Sequence, residues 1–340
     1  MATLKDIKGT CVQSIAGDPS NPVEGQIWYN STARVLKGQT TTTAGTWASG
    51  GAVPTGRAQV AGFGTQTANV MAGGKPPPGG GSNATYNYNG TSWTGSGNMG
   101  TARYGAGAGG TQTAGLAFGG YSSGFKNNTE EYDGSSWTGG GNLNNARNGL
   151  AAAGGGIGTQ TAGLAVGGYN PGAPPGYQTD YVEEYNGSSW TAVTVTPATG
   201  SYRGGLGTQT AGLVCGVSRP SPAGGQGNIT LEYDGTNWAA GGNLPYSASR
   251  VHTGGTQTAG IAYGGILQPG AATAVNALYD GSSWTTTTSL GTARYGGGGG
   301  GTQSAAIMVS GCTSPGPTVT TATEEFTGAG ASQTVTIDVD

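Results

Sequence analysis

The sequence predicts an all-β fold built from six similar modules, and three observations support this. A segment of the type GTQTAGLAFGG (residues 110–120) occurs six times, and its first glycine recurs every 46 to 49 residues. Tryptophan and arginine recur with the same period. No part of the chain repeats its apolar residues with the 3.6-residue period of a helix. The opening glycines are Gly64, Gly110, Gly158, Gly207, Gly255 and Gly301.

Each module reads as four short antiparallel strands. In the second module, residues 102–110 are small and glycine-rich, and residues 113–120 are apolar and end in a glycine pair. Residues 129–140 form two aromatic stretches joined by Asp133-Gly134, a dipeptide that favours a hairpin turn. We expect GTQT to be the turn between the first two strands, with Thr and Gln bonding exposed backbone. Six identical binding loops are the alternative.

Four-stranded modules with this period are typical of β-propeller blades. The small first strands would then line the crowded axis. The chain has six repeated turns and six phased tryptophans, so we predict six blades. The first tryptophan, Trp47, has no turn before it, and the last turn, at Gly301, has no tryptophan after it. We therefore predict that residues 44–51 supply the outer strand of the blade begun at Arg294 and close the ring. The alternating C-terminal run, residues 332–340, is predicted to be a strand of the same blade.

The order of glycine pair, tyrosine and tryptophan resembles the kelch repeat over residues 41–340. Gly119-Gly120, Tyr132 and Trp137 carry the resemblance in the second module, and the third and fifth modules match it as well. The fourth departs at Cys215 and the sixth at Phe326. The resemblance implies a kelch-like β-propeller.

The phased residues are expected to be structural. We predict that the tryptophans pack between blades and that the arginines bond carbonyls, Tyr or Glu of neighbouring strands. A sugar-stacking row of rings, and ligand binding by the arginines, are the alternatives. The acidic pairs, such as Glu130-Glu131, should point to opposite sheet faces and have structural roles. The phased residues are Trp47, Trp93, Trp137, Trp190, Trp238 and Trp284, with Arg57, Arg103, Arg147, Arg203, Arg250 and Arg294.

The composition argues against catalytic chemistry and several partner classes. The 340 residues include one histidine, His252, and three cysteines without CxxC spacing, so we expect no metal, no disulfide and no cofactor. No nucleophile–base set is recognisable, and we expect no enzyme activity. The net charge of −3 gives no electrostatic case for nucleic acid. No apolar stretch is long enough for a membrane span, and no signal peptide is expected at the start.

The loops after the glycine pairs are the variable part of the modules, and most are polar and proline-rich. All connect the second and third strands, so we expect them on one face. Variable loops on a repeated scaffold commonly carry function, and tyrosine gives contact area at low entropic cost. Neutral drift is the alternative. The candidate receptor-binding residues are Lys75, Tyr121, Lys126, Tyr169, Tyr177, Tyr181, Arg219, Gln226 and Gln268.

Residues 1–40 lie outside the repeat and form a predicted attachment module. Residues 27–29 and 34–37 read as a hairpin, with Trp28 and Tyr29 as attachment residues. This stretch resembles short modules near the start of bacteriophage tail fibre and other virion proteins. The repeats also resemble those of marine phage structural proteins. A hairpin packed on the propeller itself is the alternative.

The resemblance implies a virion structural protein, such as a tail fibre component, made in the host cytoplasm. Its partners would be other virion proteins, held through residues 1–40, further copies of itself, and a host-surface polysaccharide on the loop face. A decoration protein without a receptor and a kelch-type protein-interaction module are the alternatives.

Overall fold

The computed structural model describes residues 12–20, 25–41, 45–150, 157–172, 177–219, 225–313, 318–329 and 332–337. These residues form strands, turns and loops, with no helix among them. The chain divides into two compact units. One consists of Met1–Thr46 with Thr327–Asp340, and the other is Trp47–Phe326.

The first unit contains the predicted hairpin. Its sheet has the order β1 (Gln13–Ile15), β2 (Ile27–Asn30), β3 (Val35–Thr41) and β32 (Ser332–Ile337). Strands β2 and β3 pair antiparallel, with Ile27 opposite Gly38, and β1 runs parallel to β2. Trp28 is fully buried, and its Nε1 donates a hydrogen bond of 3.1 Å to Asp18. Trp28 therefore packs inside this unit and is not presented to a partner, whereas Tyr29 is 38% exposed.

The predicted place of the C-terminal strand is wrong. Strand β32 pairs antiparallel with β3, from Thr41 opposite Ser332 to Leu36 opposite Ile337, and takes no part in the last repeated sheet. The reason lies in which edges are open. The outer edge of the last sheet is already covered, as described below, whereas β3 offers an edge six residues long. Residues 338–340 of the predicted strand lie outside the described residues.

The second unit consists of four-stranded sheets, and the sequence predicts their strands closely. Sheet 1 contains β5 (Ala61–Gly64), β6 (Asn69–Ala72), β7 (Thr85–Tyr88) and β8 (Trp93–Ser96). Sheet 2 contains β9 (Gly107–Thr111), β10 (Ala114–Phe118), β11 (Thr129–Tyr132) and β12 (Trp137–Gly140). Sheet 3 contains β13 (Gly158–Thr159), β14 (Ala162–Val166), β15 (Val182–Tyr185) and β16 (Trp190–Ala192).

The remaining sheets follow the same order. Sheet 4 contains β17 (Gly204–Thr208), β18 (Ala211–Arg219), β19 (Gly225–Tyr233) and β20 (Trp238–Ala240). Sheet 5 contains β22 (His252–Thr256), β23 (Ala259–Tyr263), β25 (Asn276–Tyr279) and β26 (Trp284–Thr287). Two short pairs accompany sheets 5 and 6: β21 (Ala248–Ser249) with β24 (Ile266–Leu267), and β29 (Cys312–Thr313) with β30 (Thr318–Val319). The result is a β-propeller-like architecture.

The sixth sheet takes its outer strand from the beginning of the chain. It has the order β27 (Gly298–Thr302), β28 (Ala305–Val309), β31 (Thr323–Thr327) and β4 (Thr46–Gly50). This is the pairing that the unmatched Trp47 predicts. The Trp47 ring lies 5.2 Å from the Phe326 ring and 5.1 Å from that of Tyr263 in sheet 5. Phe326 thus stands where the other sheets have the tyrosine that stacks on tryptophan.

The glutamine of each GTQT turn joins its sheet to the preceding one. In sheet 2, Gln112 Nε2 donates to the carbonyl oxygens of Asn69 (3.0 Å) and Tyr88 (2.7 Å) in sheet 1. Gln66 of sheet 1 makes the same pair of bonds to Ala306 and Phe326 of sheet 6. The other sheets repeat the contact through Gln160, Gln209, Gln257 and Gln303. Each GTQT turn thus connects two strands of its own sheet, and its glutamine supplies hydrogen bonds to the neighbouring sheet.

Aromatic and acidic side chains of the third and fourth strands add contacts between sheets, as sheets 2 and 3 show. Tyr185 lies opposite Trp190, with ring centroids 4.9 Å apart. The Tyr185 hydroxyl donates to Glu131 of sheet 2 (2.6 Å), and Trp190 Nε1 donates to Thr129 (2.8 Å). Glu130, on the other side of that strand, forms a buried ion pair with Arg103. The predicted opposite-facing, structural roles of the acidic pair are confirmed.

The glycine-rich first strands allow the sheets to approach backbone to backbone. A Cβ at Gly62 of sheet 1 would lie 2.6 Å from the Gly299 nitrogen of sheet 6. Glycine is also required in the turns. Gly110 has a φ of 101°, and a Cβ there would lie 2.2 Å from the Ala114 oxygen. Both positions exclude larger residues.

Replacing a turn glutamine should weaken one sheet interface. We expect Gln112→Ala to lower the free energy of unfolding by about 1–3 kcal/mol, because two buried carbonyls lose their donor. Gln268→Ala is the matched control, since Gln268 is exposed. Urea unfolding followed by tryptophan fluorescence measures both, and equal midpoints would contradict the role of Gln112.

Stability should fall as the pH drops from 7 to 5 because of His252. Burial, together with the positive charge of Arg294, lowers the pKa of this fully buried side chain to about 4. In the unfolded chain the histidine binds a proton below about pH 6.5, whereas in the folded chain it stays neutral down to about pH 4. Protonation therefore favours the unfolded chain, and the free energy of unfolding falls as the pH drops from about 6.5 towards about 4. We expect a loss of about 2 kcal/mol by pH 5. His252→Gln should flatten the profile in urea titrations, and an unchanged slope would contradict the assignment.

Candidate binding site on the loop face

The loop face carries a repeated backbone framework with non-repeated side chains. In each sheet, a residue preceding the first strand forms an antiparallel bridge with the residue that follows the glycine pair or its equivalent. The framework is constant, but the side chains it presents differ from sheet to sheet. The bridges are Ala58 to Lys75, Tyr104 to Tyr121, Asn148 to Tyr169, Ser201 to Ser218, Ser249 to Ile266 and Tyr295 to Cys312.

A belt of backbone hydrogen bonds links the sheets next to these bridges. Gly105 N donates to Gln59 O (2.8 Å), Gly149 N to Gly105 O (2.9 Å) and Tyr202 N to Gly149 O (2.7 Å). Arg250 N donates to Tyr202 O (2.6 Å), and Gln59 N to Gly296 O. All these residues have a φ between 53° and 64°. Three of them are not glycine, and the belt therefore holds Gln59, Tyr202 and Arg250 in a conformation that costs energy, as is common at binding sites.

A cavity of about 370 Å³ lies against this belt. Its size is within the range of small-ligand sites, about 300–1,000 Å³. The lining comes from sheets 1 to 4 and is mainly aromatic and amide in character. It includes Tyr104, Tyr121, Phe125, Tyr169 and Tyr202, with Gln59, Lys75, Asn148, Gln178 and Ser201.

The aromatic rings form a row along the cavity. The centroid of Tyr121 lies 5.5 Å from that of Tyr104 and 5.0 Å from that of Phe125. Phe125 lies 5.7 Å from Tyr169, which lies 5.9 Å from Tyr177. Tyr177 is 52% exposed and extends the row into solvent. The rings are tilted against one another by 35° to 77°, and Tyr104, Tyr121, Phe125 and Tyr169 are half-buried, so the row presents aromatic surface of a kind that packs on the apolar faces of sugar rings.

Several polar groups of the lining lack hydrogen-bond partners. Gln59 Oε1, Asn148 Oδ1, Gln178 Oε1 and Ser201 Oγ are buried, and none has a partner among the described residues. Leaving such groups unpaired is unfavourable, so their grouping beside one cavity indicates a place for a hydrogen-bonding ligand or water.

A second cavity of about 390 Å³ adjoins the first through the shared residues Gln59 and Lys75. Its wall includes the prolines 76–78, Arg250 and Tyr295. The Arg250 guanidinium lies 4.5 Å from the Tyr202 ring centroid and 5.6 Å from that of Tyr295. Lys75 Nζ lies 5.6 Å from the Tyr104 ring centroid.

A further cavity of about 540 Å³ lies beside β4. Its carboxylate, Glu324, is already paired with Arg294 at 2.7 Å, and Trp47 packs on Phe326. These contacts join parts of the sixth module to one another.

The structure brings three of the predicted binding residues together. Lys75, Tyr121 and Tyr169 line the first cavity, and Tyr177 continues its aromatic row. Lys126, Tyr181, Gln226 and Gln268 line neither this cavity nor its neighbour, and Arg219 pairs with Gly225 at the tip of β18 and β19. The predicted attachment residues lie in the other unit.

Sequence reasoning missed the residues that face the cavity from the belt and bridges. Gln59, Tyr104, Asn148, Ser201 and Tyr202 stand next to the phased arginines, in the segments assigned to the scaffold. Their variation from module to module was the available signal, because constant positions build the sheets and varied positions do not.

Five of the phased arginines are structural, and Arg250 departs from that prediction. Arg57, Arg103, Arg147, Arg203 and Arg294 are buried, and each bonds backbone carbonyls. The Arg250 side chain instead lies over the rings of Tyr202 and Tyr295. The reason is its register, since Arg250 occupies the belt position that Gly105 has in sheet 2.

The described residues contain no group of three or more side chains suited to holding a metal ion. Cys215 and Cys312 are buried free thiols, while Cys11 lies outside the described residues. Burial raises the pKa of Cys215 to about 12. In the described part of the chain, no helix has the length and apolar character needed to cross a membrane. The arrangement on the loop face is suited to stacking and hydrogen bonding.

Comparison with known proteins relates the fold to solved structures. No family model and no curated protein sequence matches the chain. Among 201 similar solved chains is one described as "Structure of YjhT". It has a TM-score of 0.63 and 13% sequence identity, and the match covers 80% of this chain and 95% of that one. At this identity the likeness concerns the fold alone.

Proposed function

We propose that this protein is a six-bladed, kelch-like β-propeller of a bacteriophage virion, in a tail fibre or similar appendage, whose loop face binds a glycan of the host surface. In this proposal the chain is not an enzyme. The first unit attaches it to other virion proteins, and further copies of the chain share the assembly.

The closed ring is supported by one contact repeated at every sheet interface. The turn glutamines join sheet 2 to sheet 1 and so on to sheet 6, and Gln66 joins sheet 1 back to sheet 6. Strand β4 covers the outer edge of the sixth sheet. A ring of blades accounts for both contacts without leaving an exposed strand edge in that sheet.

Glycan binding is supported by one observation above all, the aromatic row beside unpartnered polar groups. Sugar rings present apolar faces that stack on Tyr121, Phe125 and Tyr169. Their hydroxyls can donate to the buried oxygens of Gln59, Asn148 and Gln178, which lack donors among the described residues. A purely apolar partner would leave these oxygens unpaired at a cost of about 1–3 kcal/mol each.

The virion role rests on the resemblance of the repeats and of residues 1–40 to phage structural proteins. The separate unit that contains β1, β2 and β3 suits an attachment role, with Tyr29 exposed on it. A decoration protein without a receptor is the second candidate. A protein-interaction module is the third, and it is favoured only by the kelch resemblance.

The aromatic row gives the direct test of glycan binding. We expect the full chain to bind host-surface polysaccharides on a glycan array and to compete with phage adsorption. Tyr169→Ala should weaken binding about tenfold, since central aromatic contacts carry much of the energy of an interface. Tyr29→Ala, a partly exposed tyrosine of the other unit, is the matched control.

Absence of glycan binding together with unimpaired adsorption would favour the decoration protein. Cryo-electron microscopy of the particle that carries the chain tests the virion role separately. We expect density for the propeller on a tail appendage, with its loop face directed outward.

A further inference from the structure

The two cations that line the adjoining cavities, Lys75 and Arg250, have no acidic partner among the described residues. Arg103, Arg147 and Arg294 each form a buried ion pair with a glutamate, whereas Lys75 and Arg250 form none with a described carboxylate. The linings of the two adjoining cavities contain no Asp or Glu. In a chain with a net charge of −3, this is a local concentration of positive charge.

Neutral rings hold these two cations in place. Arg250 lies over the rings of Tyr202 and Tyr295, and Lys75 lies over that of Tyr104. Burial raises the pKa of Tyr104 and of Tyr295, so both rings are uncharged at pH 7. Cation–π contacts orient a guanidinium or ammonium group without cancelling its charge, which leaves it able to bind an anion.

The position of the cations relates them to the proposed sugar sites. Lys75 lines both cavities, and Arg250 lines the second one and a small cavity of about 10 Å³ beside Gln59. An anionic substituent bound there would lie between a ring stacked on the aromatic row and a ring placed against prolines 76–78. A polymer whose sugar rings carry charged groups at intervals could contact the aromatic row, the two cations and the prolines in turn.

We propose that the loop face recognises an anionic polysaccharide, whose carboxylate or sulfate group is held by Lys75 and Arg250. This inference rests on the proposed glycan binding and names its substrate class. An acidic peptide such as poly-glutamate can donate backbone N–H groups to Gln59, Asn148 and Gln178, but it has no ring to pack on the aromatic row and so fits less well. Arginine and lysine bind carboxylate and sulfate groups alike, so the proposal covers both uronic acids and sulfated sugars.

The experiment compares charged polymers with neutral forms of the same polymers. The full chain is titrated with polygalacturonate, alginate and sulfated galactans, and with their carboxyl-reduced or desulfated forms. We expect the charged form to bind at least about tenfold more tightly, with an affinity that falls as salt is raised. The uronate and sulfate arms show which anionic group is preferred.

Variants locate the charge recognition. Lys75→Gln and Arg250→Gln should each weaken binding of the charged polymer about tenfold and leave binding of the neutral form unchanged. Arg34→Gln removes the same charge from an exposed arginine of the other unit and is expected to have no effect. Arg250→Lys keeps the charge but loses the planar guanidinium group between the rings, so it should retain more binding than Arg250→Gln and less than the unchanged chain. Thermal unfolding checks that each variant is folded.

Three outcomes overturn the inference, and the last two also overturn the proposed glycan binding. Equal binding of charged and neutral polymers, still sensitive to Tyr169→Ala, removes the anionic preference and leaves glycan binding intact. Poly-glutamate binding as tight as that of the best polysaccharide, with the same sensitivity to Lys75→Gln and Arg250→Gln, identifies an acidic peptide as the partner. Failure to bind any charged or neutral glycan removes both proposals.

Discussion

The hydrogen bonds from each turn glutamine to the preceding sheet are the interaction on which the architecture depends. A four-stranded sheet of such short strands cannot bury its aromatic residues alone, so each sheet needs a neighbour. Gln112 reaches the carbonyls of Asn69 and Tyr88, and Gln66 makes the same bonds between the first sheet and the last. The GTQT segment recurs six times, and in each copy its glutamine makes this bond to a neighbouring sheet.

The same repetition explains how a binding surface can be built without disturbing the scaffold. The bridges and the backbone belt fix where side chains emerge on the loop face, whichever residues occupy those positions. The residue type at the positions of Tyr104, Asn148 and Tyr202 can therefore vary from module to module while the sheets themselves stay alike. The aromatic row and the two cations arise on this constant framework, in which the backbone belt holds Gln59, Tyr202 and Arg250 at positive φ.

The sequence predicts the repeated features well and the unique ones poorly, for physical reasons. Period, strands, turns and the pairing of β4 follow from residues that recur, because a recurring residue has a recurring contact. The partner of β32 depends on which sheet edge is free, and that is a property of the assembled chain. The first cavity collects side chains from sheets 1 to 4, and spacing along the chain does not show which of these side chains meet. The position of the arginine within the module also shifts at Arg203 and Arg250, so the different contacts of Arg250 could not be predicted from the period.

Closure of the ring between the first and last sheets is tested most directly by a double-mutant cycle on Tyr88 and Glu325. The Tyr88 hydroxyl donates to Glu325 at 2.6 Å, across 237 residues of sequence, and Tyr185 and Glu131 form the equivalent bond at 2.6 Å between sheets 2 and 3. With Tyr→Phe and Glu→Gln at both pairs, urea unfolding should give equal coupling energies of about 1–2 kcal/mol. Coupling for Tyr185 and Glu131 but none for Tyr88 and Glu325 would contradict a closed ring.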